Sequence, residues 1–282
     1  MRLIKSLDNI LSVLKKYKGK RIGFVPTMGA LHQGHLSLIR KARQDNDLVV
    51  VSIFVNPKQF SLNEDLNRYP RPREKDISLC RKEKVDILFY PAAKDIYPKD
   101  FSTYIEVEGL SSILCGKSRP GHFKGVATIV AKLFNIIRPD VVYLGKKDAQ
   151  QAVIIKRMVI DLNLPVVVKV MPIVRDKDGL AISSRNAYLS KGEREVALVV
   201  PRALNLAKEL IKNGARDSKK IVNRMKQLIL KKKSVKIDYI EIVDANALRP
   251  LKKVTNNSLI ILAVFIGKTR LIDNYQVRRW LN

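Results

Sequence analysis

The chain has few cysteines and no long apolar run, and both absences narrow its class. Of its 282 residues only Cys80 and Cys115 are cysteines, and they stand apart, without metal-ligand or redox spacing. Isolated cysteines of this kind are typical of reduced thiols in a cytoplasmic protein. The longest apolar run, residues 259–266, is far shorter than the roughly 20 residues that span a bilayer. Residues 1–17 lack the apolar segment of a signal peptide, so we expect a cytoplasmic globular protein with no membrane partner.

Acidic residues are scarce relative to basic ones. The chain has 26 Asp and Glu against 54 Lys and Arg, a formal net charge of +28. Such an excess can indicate a nucleic-acid partner, but here the basic residues are spread along the whole chain. The one dense cluster, residues 231–233, lacks the interleaved aromatic residues that stack on bases. We therefore expect no nucleic-acid partner. A salt-sensitive gel shift that is lost when this cluster is substituted would favour the alternative.

Two common phosphate-binding motifs are also absent. No Gly-x-Gly-x-x-Gly follows the first apolar run, which excludes a dinucleotide fingerprint. Gly267, Lys268 and Thr269 resemble the end of a P-loop, but Leu262 stands where that motif requires its first glycine. A nucleotide site in this chain must therefore be built in another way.

The segment PTMGALHQGH, residues 26–35, offers such a way. It follows an apolar run at 22–25 and carries two of the three histidines in the spacing His-x-Gly-His. Imidazoles can stabilise charge that develops on a phosphate, and Gly34 lets the backbone approach a ligand closely. A strand that leads through such a turn into a helix predicts a nucleotide site. The alternative is an ordinary helix start with two solvent-facing polar residues.

The order of apolar runs predicts an α/β fold with two domains. Continuous apolar runs separated by helical patterns are typical of a Rossmann-like, doubly wound parallel sheet. The clearest helix covers residues 123–137, and we expect strands at 22–25, 48–55, 87–90, 104–107, 141–144 and 166–171. After residue 175 come a capping box at 190–193, a long helix bent or interrupted at Pro201, a basic helix at 218–231 and strand-like runs at 237–243, 259–266 and 269–272. We therefore expect a Rossmann-like domain at 1–175 and a smaller α+β domain at 176–282.

Three polar segments follow predicted strands, at 26–35, 56–60 and 145–151. Because ligands of parallel sheets bind at the carboxyl ends of the strands, we expect these segments to lie together. Lys147 can neutralise phosphate, and Asp148 can contact a ribose or a metal-bound water. Residues 183–186 (SSRN) suit a polyphosphate, whereas Gln59 and Gln151 suit a neutral or hydroxylated substrate. Taken singly, the segments at 145–148 and 183–186 are better explained as ordinary polar loops.

Six segments together resemble one enzyme family. PTMGALHQGH, FVNPKQF, RPGHFKGVATIV, LGKKDAQQ, DGLAISSRN and GKTRLIDN, spanning residues 26–274, are similar in order and spacing to pantothenate synthetase (pantoate–β-alanine ligase). That family belongs to the His-x-Gly-His nucleotidyltransferase superfamily. The resemblance implies a homodimer whose smaller domain closes over an active site between the domains. It also implies condensation of pantoate with β-alanine through a pantoyl adenylate, with ATP as substrate and Mg²⁺ as cofactor, in pantothenate and coenzyme A biosynthesis.

The resemblance also implies roles for individual residues. His35 is the proton donor, with His32 and Lys147 as further catalytic residues, and Gln59 and Gln151 bind pantoate, Gln59 also lying near β-alanine. The implied ATP-binding residues are Met28, Gly29, Ala30, Leu31, His32, Gln33, Gly34, His35, Gly145, Lys146, Lys147, Asp148, Val174, Ile182, Ser183, Ser184 and Arg185.

Four further positions complete these expectations. We predict that His122 lies at the mouth of the pocket and that Arg119 binds the β-alanine carboxylate. The family usually has Glu where this chain has Lys146 and Arg where it has Lys124, and no protein ligand of the metal is assigned. The competing hypothesis within the same fold is a nucleotidyltransferase that adenylates or cytidylylates another substrate.

Overall fold

Short apolar runs separated by helices build a parallel six-stranded sheet. The computed structural model describes residues 1–61 and 64–277 of the chain. Its sheet contains β1 (Arg2–Ile4), β2 (Ile22–Thr27), β3 (Leu48–Ile53), β4 (Ile87–Phe89), β5 (Val141–Gly145) and β6 (Val167–Met171). All pairs are parallel, in the order β1-β4-β3-β2-β5-β6. The middle strands are buried on both faces, which explains their continuous apolar sequence. The predicted fold class is confirmed.

Helices connect and flank these strands. They are α1 (Leu7–Lys15), α2 (Gln33–Asp45), α3 (Arg73–Lys82), α4 (Ala93–Ile96), α5 (Cys115–Ser118), α6 (His122–Ile137) and α7 (Ala149–Asp161). Helix α6 is buried along most of its length, so its apolar pattern was the clearest helix signal in the sequence.

Two details of the first sheet differ from the prediction. Residues 104–107 were expected to form a strand, and this is wrong. Their backbone joins no ladder, and the Ile105 N–H instead donates to Thr128 Oγ1 at 2.9 Å. Strand β1 was not predicted, because it has only three residues and lies at the edge of the sheet, paired with β4. An edge strand this short has too few residues to show a period.

The strand order reverses at β2, and this reversal places the polar segments. Strand β3 pairs with one side of β2, and β5, which follows β4 in the chain, pairs with the other. In doubly wound sheets such a reversal opens a crevice at the carboxyl ends of the strands. The segments after β2, β3 and β5 therefore emerge from three adjacent strands, as predicted.

Residues after β6 form a second unit with an antiparallel sheet. Its elements are α8 (Lys191–Ala197), α9 (Val199–Lys212), α10 (Ser218–Leu230), β7 (Val235–Asp244), β8 (Ser258–Ile266) and β9 (Thr269–Gln276). The predicted capping box begins α8: the Glu193 N–H donates to Ser190 Oγ and the Ser190 N–H to Glu193 Oε2. The helix interruption expected at Pro201 falls instead at Leu198, between α8 and α9. Pro201 lies in the first turn of α9, where its missing N–H has no helical partner to lose.

The chain divides into two compact units. The first comprises Met1–Lys146 and Gln151–Pro172, and the second comprises Lys147–Gln150 and the chain from Ile173. The division expected after residue 175 thus falls three residues beyond the one in the structure. Nothing in the residue pattern distinguishes 147–150 from their neighbours, so their grouping with the second unit was not predictable.

Both cysteines lie in the first unit and are buried. Cys80, on α3, has no exposed surface, and Cys115, at the start of α5, is 7% exposed. Burial, with a smaller effect from the Asp76 carboxylate, raises the pKa of the Cys80 thiol to about 12. Cys80 is therefore an unreactive thiol at neutral pH. Over the same described residues, no helix combines the length and the apolar character needed to cross a bilayer.

Candidate active site

The turn between β2 and α2 is fixed by a buried carboxylate. Gly29 and Ala30 both have positive φ angles, 83° and 49°, so the chain reverses sharply before the helix. Asp76, on α3 and only 1% exposed, accepts the N–H groups of Ala30 and Leu31, each at 2.8 Å. The Gly29 N–H donates to Thr27 Oγ1 at 3.1 Å. The turn that carries the histidines is therefore held by side chains as well as by its own backbone.

The two histidines of this turn lie against each other. His32 is the N-cap of α2, and its ring stacks on that of His35 with centroids 4.0 Å apart. The His32 N–H donates to His35 Nδ1 at 3.4 Å, so the neutral His35 ring carries its proton on Nε2. A Cβ on Gly34 would lie 2.9 Å from His32 Cε1. Glycine at position 34 thus permits the stack, and Nε2 of His35 is the nitrogen suited to donate to a ligand.

Gln59 follows β3 on a single turn of 3₁₀ helix, Pro57–Gln59, and is 8% exposed. Its Nε2 donates to Met28 Sδ at 2.9 Å, and its Oε1 accepts from Asn56 Nδ2 at 3.0 Å. Asn56 is itself buried and donates to the main-chain oxygen of Gly125, on α6, at 3.0 Å. The amide of Gln59 therefore has a fixed orientation beside Met28, as its predicted inward position requires.

Glycine at position 125 is what brings α6 against this 3₁₀ turn. A Cβ there would lie 2.1 Å from the main-chain oxygen of Lys58 and 2.7 Å from Gln59 Cα. These are backbone atoms, which cannot move aside as a flexible side chain would. Only glycine is compatible with this approach of helix and turn.

Arg119 and His122 both contact the main-chain oxygen of Gln59. The Arg119 guanidinium forms a bidentate ion pair with Glu64, at 2.8 and 2.5 Å, and Arg119 Nη1 is 3.0 Å from His122 Nε2. His122 Nδ1 is 2.8 Å from the main-chain oxygen of Gln59. His122, which was expected at the mouth of the pocket, is buried, 9% exposed, with both ring nitrogens in hydrogen bonds.

The segment after β5 is divided between the two units. Gly145 ends β5 and pairs with Met171, and Lys146 follows it, while Gln151 lies half-buried in the first turns of α7. Lys147 and Asp148 group with the second unit, where Lys147 Nζ is 3.6 Å from Asp148 Oδ1. The predicted residues of this segment are therefore present in both units.

In the second unit a short hairpin carries the remaining predicted residues. The Ile182 N–H donates to the Val174 oxygen at 3.0 Å, so these two predicted ATP residues are neighbours. Arg175 holds the hairpin by donating to the Gly179 oxygen at 3.0 Å and to both carboxylate oxygens of buried Asp273. Ser183 caps the following 3₁₀ helix, Ser184–Tyr188, which contains the predicted Ser184 and Arg185.

Lys147 and Ser183 line the same small cavity of the second unit. Its volume is about 10 Å³, room for about one water molecule, and Asn186 and Asp273 also line it. The Asn274 amide donates to the main-chain oxygen of Lys147 at 3.1 Å. The last quoted motif, GKTRLIDN, thus supplies one residue, Asn274, that fixes Lys147 and another, Asp273, that fixes the hairpin.

Several of these supporting residues were missed by sequence reasoning. Asp76 was not singled out, because its partners lie more than forty residues away along the chain and it looks like any acidic residue on a helix. Arg175 was noted only as the last residue before the expected domain boundary. Asp273 and Asn274 were inside a quoted motif, which signalled their importance but not their contacts.

The fold and the turn together define a class. A parallel sheet whose order reverses at β2, followed directly by a His-x-Gly-His turn at the start of a helix, is the arrangement of a Rossmann-like nucleotidyltransferase. Within that class the chain belongs to the pantoate–β-alanine ligase family, whose sequence model matches residues 1–276. The family resemblance noted in the sequence is thereby confirmed.

Named relatives and solved structures agree with this assignment. Pantothenate synthetase of Caldicellulosiruptor saccharolyticus is 57% identical over 274 residues, covering 97% of this chain and 97% of that protein. The structure of pantothenate synthetase from Thermus thermophilus superposes with a TM-score of 0.95 at 41% identity, covering 99% of this chain and 100% of that one. A Francisella tularensis pantoate–β-alanine ligase, described as complexed with β,γ-ATP and β-alanine, has a TM-score of 0.80 at 39% identity, covering 98% and 97%.

Proposed function

We propose that this chain is an ATP-dependent ligase that condenses pantoate with β-alanine to pantothenate, releasing AMP and pyrophosphate. The observation that carries the proposal is the stacked histidine pair at the N-terminus of α2, directly after the central strand of the sheet. Membership of the pantoate–β-alanine ligase family then names the substrates. The Francisella ligase, complexed with β,γ-ATP and β-alanine, supports two of them.

The reaction needs two steps, because a carboxylate is a poor acyl donor. In the first, a pantoate carboxylate oxygen attacks the α-phosphorus of ATP, and the bond from that phosphorus to the β-phosphate bridging oxygen breaks, so that pyrophosphate leaves. In the second, the β-alanine amine attacks the carbonyl carbon of the pantoyl adenylate, AMP leaves, and the amine loses a proton. The site holds the reactants together, and neither step requires a nucleophilic serine or cysteine.

We assign the phosphate charge to the histidine turn and to Lys147. Negative charge grows on the α-phosphate and on pyrophosphate in the first step, and a well-placed donor in such a site contributes about 3–4 kcal/mol. Nε2 of His35 and the His32 ring are suited to this role, with the Lys147 ammonium on the leaving phosphates. ATP would be held by Met28–His35 backbone and side chains, by residues 145–148, by Val174 and by residues 182–185.

We assign pantoate to Gln59 and Gln151. Both are neutral amides that can donate to and accept from a hydroxyl, and neither offers charge to a polyphosphate. Gln59 already has its orientation set by Met28 and Asn56, so its ordering cost is met before substrate binds.

Mg²⁺ fits this chain as a companion of the nucleotide. Among residues 1–61 and 64–277 no group of three or more His, Cys, Asp or Glu is arranged to hold a metal. A site that binds Mg²⁺ through substrate phosphates needs only one or two carboxylates, and Asp148, whose side chain is 48% exposed, is suited to hold a metal-bound water or a ribose hydroxyl. The ion would neutralise phosphate charge during adenylation.

We also propose that the protein is cytoplasmic and forms a homodimer. Light scattering of the purified protein tests the dimer.

Isotope exchange between pyrophosphate and ATP tests the proposed function. The unaltered chain should catalyse exchange that requires pantoate but not β-alanine, and competing hydroxy acids should not replace pantoate. Exchange supported equally by another acid would favour the alternative, a nucleotidyltransferase with a different acceptor.

Two substitutions test the division of roles. Gln59→Ala should raise the KM for pantoate roughly tenfold to a hundredfold and leave that for ATP nearly unchanged, since a lost buried hydrogen bond costs ~1–3 kcal/mol. Lys147→Ala should instead impair ATP use, with the pantoate KM little altered. Equal effects on both substrates in both variants would show that the division is wrong.

A further inference from the structure

Arg119 was predicted to bind the β-alanine carboxylate, but its guanidinium already has partners on several sides. Nε donates to Glu64 Oε1 at 2.8 Å and Nη2 to Glu64 Oε2 at 2.5 Å. Nη2 is also 3.4 Å from the main-chain oxygen of Gln59, and Nη1 is 3.0 Å from His122 Nε2. Four of the five N–H groups of the arginine are therefore directed at residues of the same unit. A second carboxylate cannot form the bidentate pair that Glu64 already makes.

The contact between Arg119 and His122 fixes the protonation of the histidine. A guanidinium only donates hydrogen bonds, so His122 Nε2 must accept. The ring proton is then on Nδ1, which donates to the main-chain oxygen of Gln59 at 2.8 Å. A continuous series of hydrogen bonds thus runs from Glu64 through Arg119 and His122 to the backbone of Gln59.

Burial makes this series of contacts costly to disturb. The Arg119 and Glu64 side chains are 13% and 17% exposed, and His122 is 9% exposed. Burial alone would raise the pKa of the Glu64 carboxyl, but the hydrogen bonds and charge of Arg119 more than offset this and hold it below its usual range. Glu64 is therefore ionised at neutral pH, and removing either partner leaves an uncompensated buried charge.

We propose that Glu64, Arg119 and His122 are positioning residues that fix Gln59 for pantoate binding. The geometry assigns Arg119 to the backbone beneath Gln59 and not to a substrate carboxylate. The network holds the main chain of the 3₁₀ turn through the contact of His122 with the Gln59 oxygen, while Asn56 orients the Gln59 side-chain amide by a hydrogen bond. This inference rests on the proposed function, because it assumes that Gln59 contacts pantoate.

The test uses pyrophosphate–ATP exchange with pantoate and without β-alanine. Arg119→Lys keeps the charge but not the fork of donors, and Glu64→Gln keeps the shape but replaces one acceptor by a donor. Each should raise the pantoate KM about tenfold and change the ATP KM less than twofold. His122→Asn, which retains a donor near the Nδ1 position, should be milder than His122→Ala.

A matched control is available at Glu83, which forms another bidentate pair, with Arg40, in the same unit. Glu83→Gln should leave both KM values unchanged. If Arg119→Lys instead leaves the exchange reaction intact and raises only the β-alanine KM in the complete reaction, Arg119 binds substrate directly and the proposal is refuted.

Two different outcomes distinguish failure of this inference from failure of the proposed function. Absence of pantoate-dependent exchange in the unaltered chain refutes the proposed function and the inference with it. Normal exchange in the unaltered chain, with unchanged pantoate KM in the well-folded Glu64→Gln variant, refutes the inference alone. Urea unfolding of each variant identifies any loss of exchange activity that comes from loss of folded protein.

Discussion

Removing the Asp76 carboxylate should loosen the histidine turn and slow adenylation. In Asp76→Ala the N–H groups of Ala30 and Leu31 lose their acceptor, and each buried N–H left unsatisfied costs ~1–3 kcal/mol. Part of this loss of stability is offset, because burial raises the pKa of Asp76 and its charge is therefore costly to keep in the folded state. We expect a net loss of ~2–4 kcal/mol from the unfolding free energy.

Asp76→Asn separates the effect on the histidine turn from the effect on overall stability. The amide keeps one oxygen acceptor but presents an NH₂ group to the second backbone N–H, so we expect about half the loss of the alanine variant. Hydrogen exchange at the Ala30 and Leu31 amides should become faster than in the parent. The rate of pyrophosphate–ATP exchange should fall on the order of tenfold or more, because the turn no longer presents His35 in a single geometry.

The matched control is Asp244 in the second unit, whose carboxylate also accepts two backbone N–H groups, those of Asn246 and Ala247, at 2.9 and 2.8 Å. Asp244→Asn should weaken its own turn and leave the exchange rate per folded molecule unchanged. The reasoning is refuted if Asp76→Asn retains parental amide protection and parental exchange kinetics, or if Asp244→Asn slows exchange equally.

Three further substitutions test other parts of the structure. His35→Ala should lower adenylate formation about a hundredfold or more while the fold survives, because its catalytic role is electrostatic; parental turnover would remove His35 from the mechanism. Gly125→Ala should raise the pantoate KM and lower the unfolding midpoint, since its Cβ meets the backbone of the 3₁₀ turn; an unchanged pantoate KM would show that the turn adapts. Hydrogen bonds from Lys169 and Lys41 hold the pKa of Asp45 well below its usual ~3.9, so its contribution to stability is present above that pH and is lost as the pH falls through the folded-state pKa. Asp45→Asn should therefore lower the urea midpoint at pH 7 and have less effect toward pH 2; a constant difference would contradict the linkage.

The large elements of the fold were predictable because their signals are local. The buried strands contain short apolar runs, such as residues 48–51 of β3, and α6 has an apolar face repeated over sixteen residues. The capping box at Ser190 and Glu193 is a pattern of four residues, and the structure contains it. Residues 104–107 share the apolar character of a strand but have no neighbour to pair with, and composition alone cannot reveal a missing partner.

The supporting contacts of the candidate site were not predictable for a related reason. Asp76, Glu64 and Asp273 each act on residues that are distant in sequence, and each looks like a surface acid when read along the chain. The position of His122 in the sequence, beside Arg119 and Lys124, does not reveal the two hydrogen bonds that allow its ring to be buried. Motifs locate the groups that meet a ligand, and the contacts that hold those groups appear only in three dimensions.

The burial of both cysteines gives this chain an internal reporter. A thiol reagent can reach Cys80 only when α3 opens, since the side chain has no exposed surface and its thiol does not ionise at neutral pH. Cys80 lies one helical turn from Asp76, and the chain has no cysteine in its second unit. The rate of thiol labelling therefore reports the opening of the first unit and not that of the second. A ligand that binds the histidine turn will slow the reaction of a cysteine that it never touches.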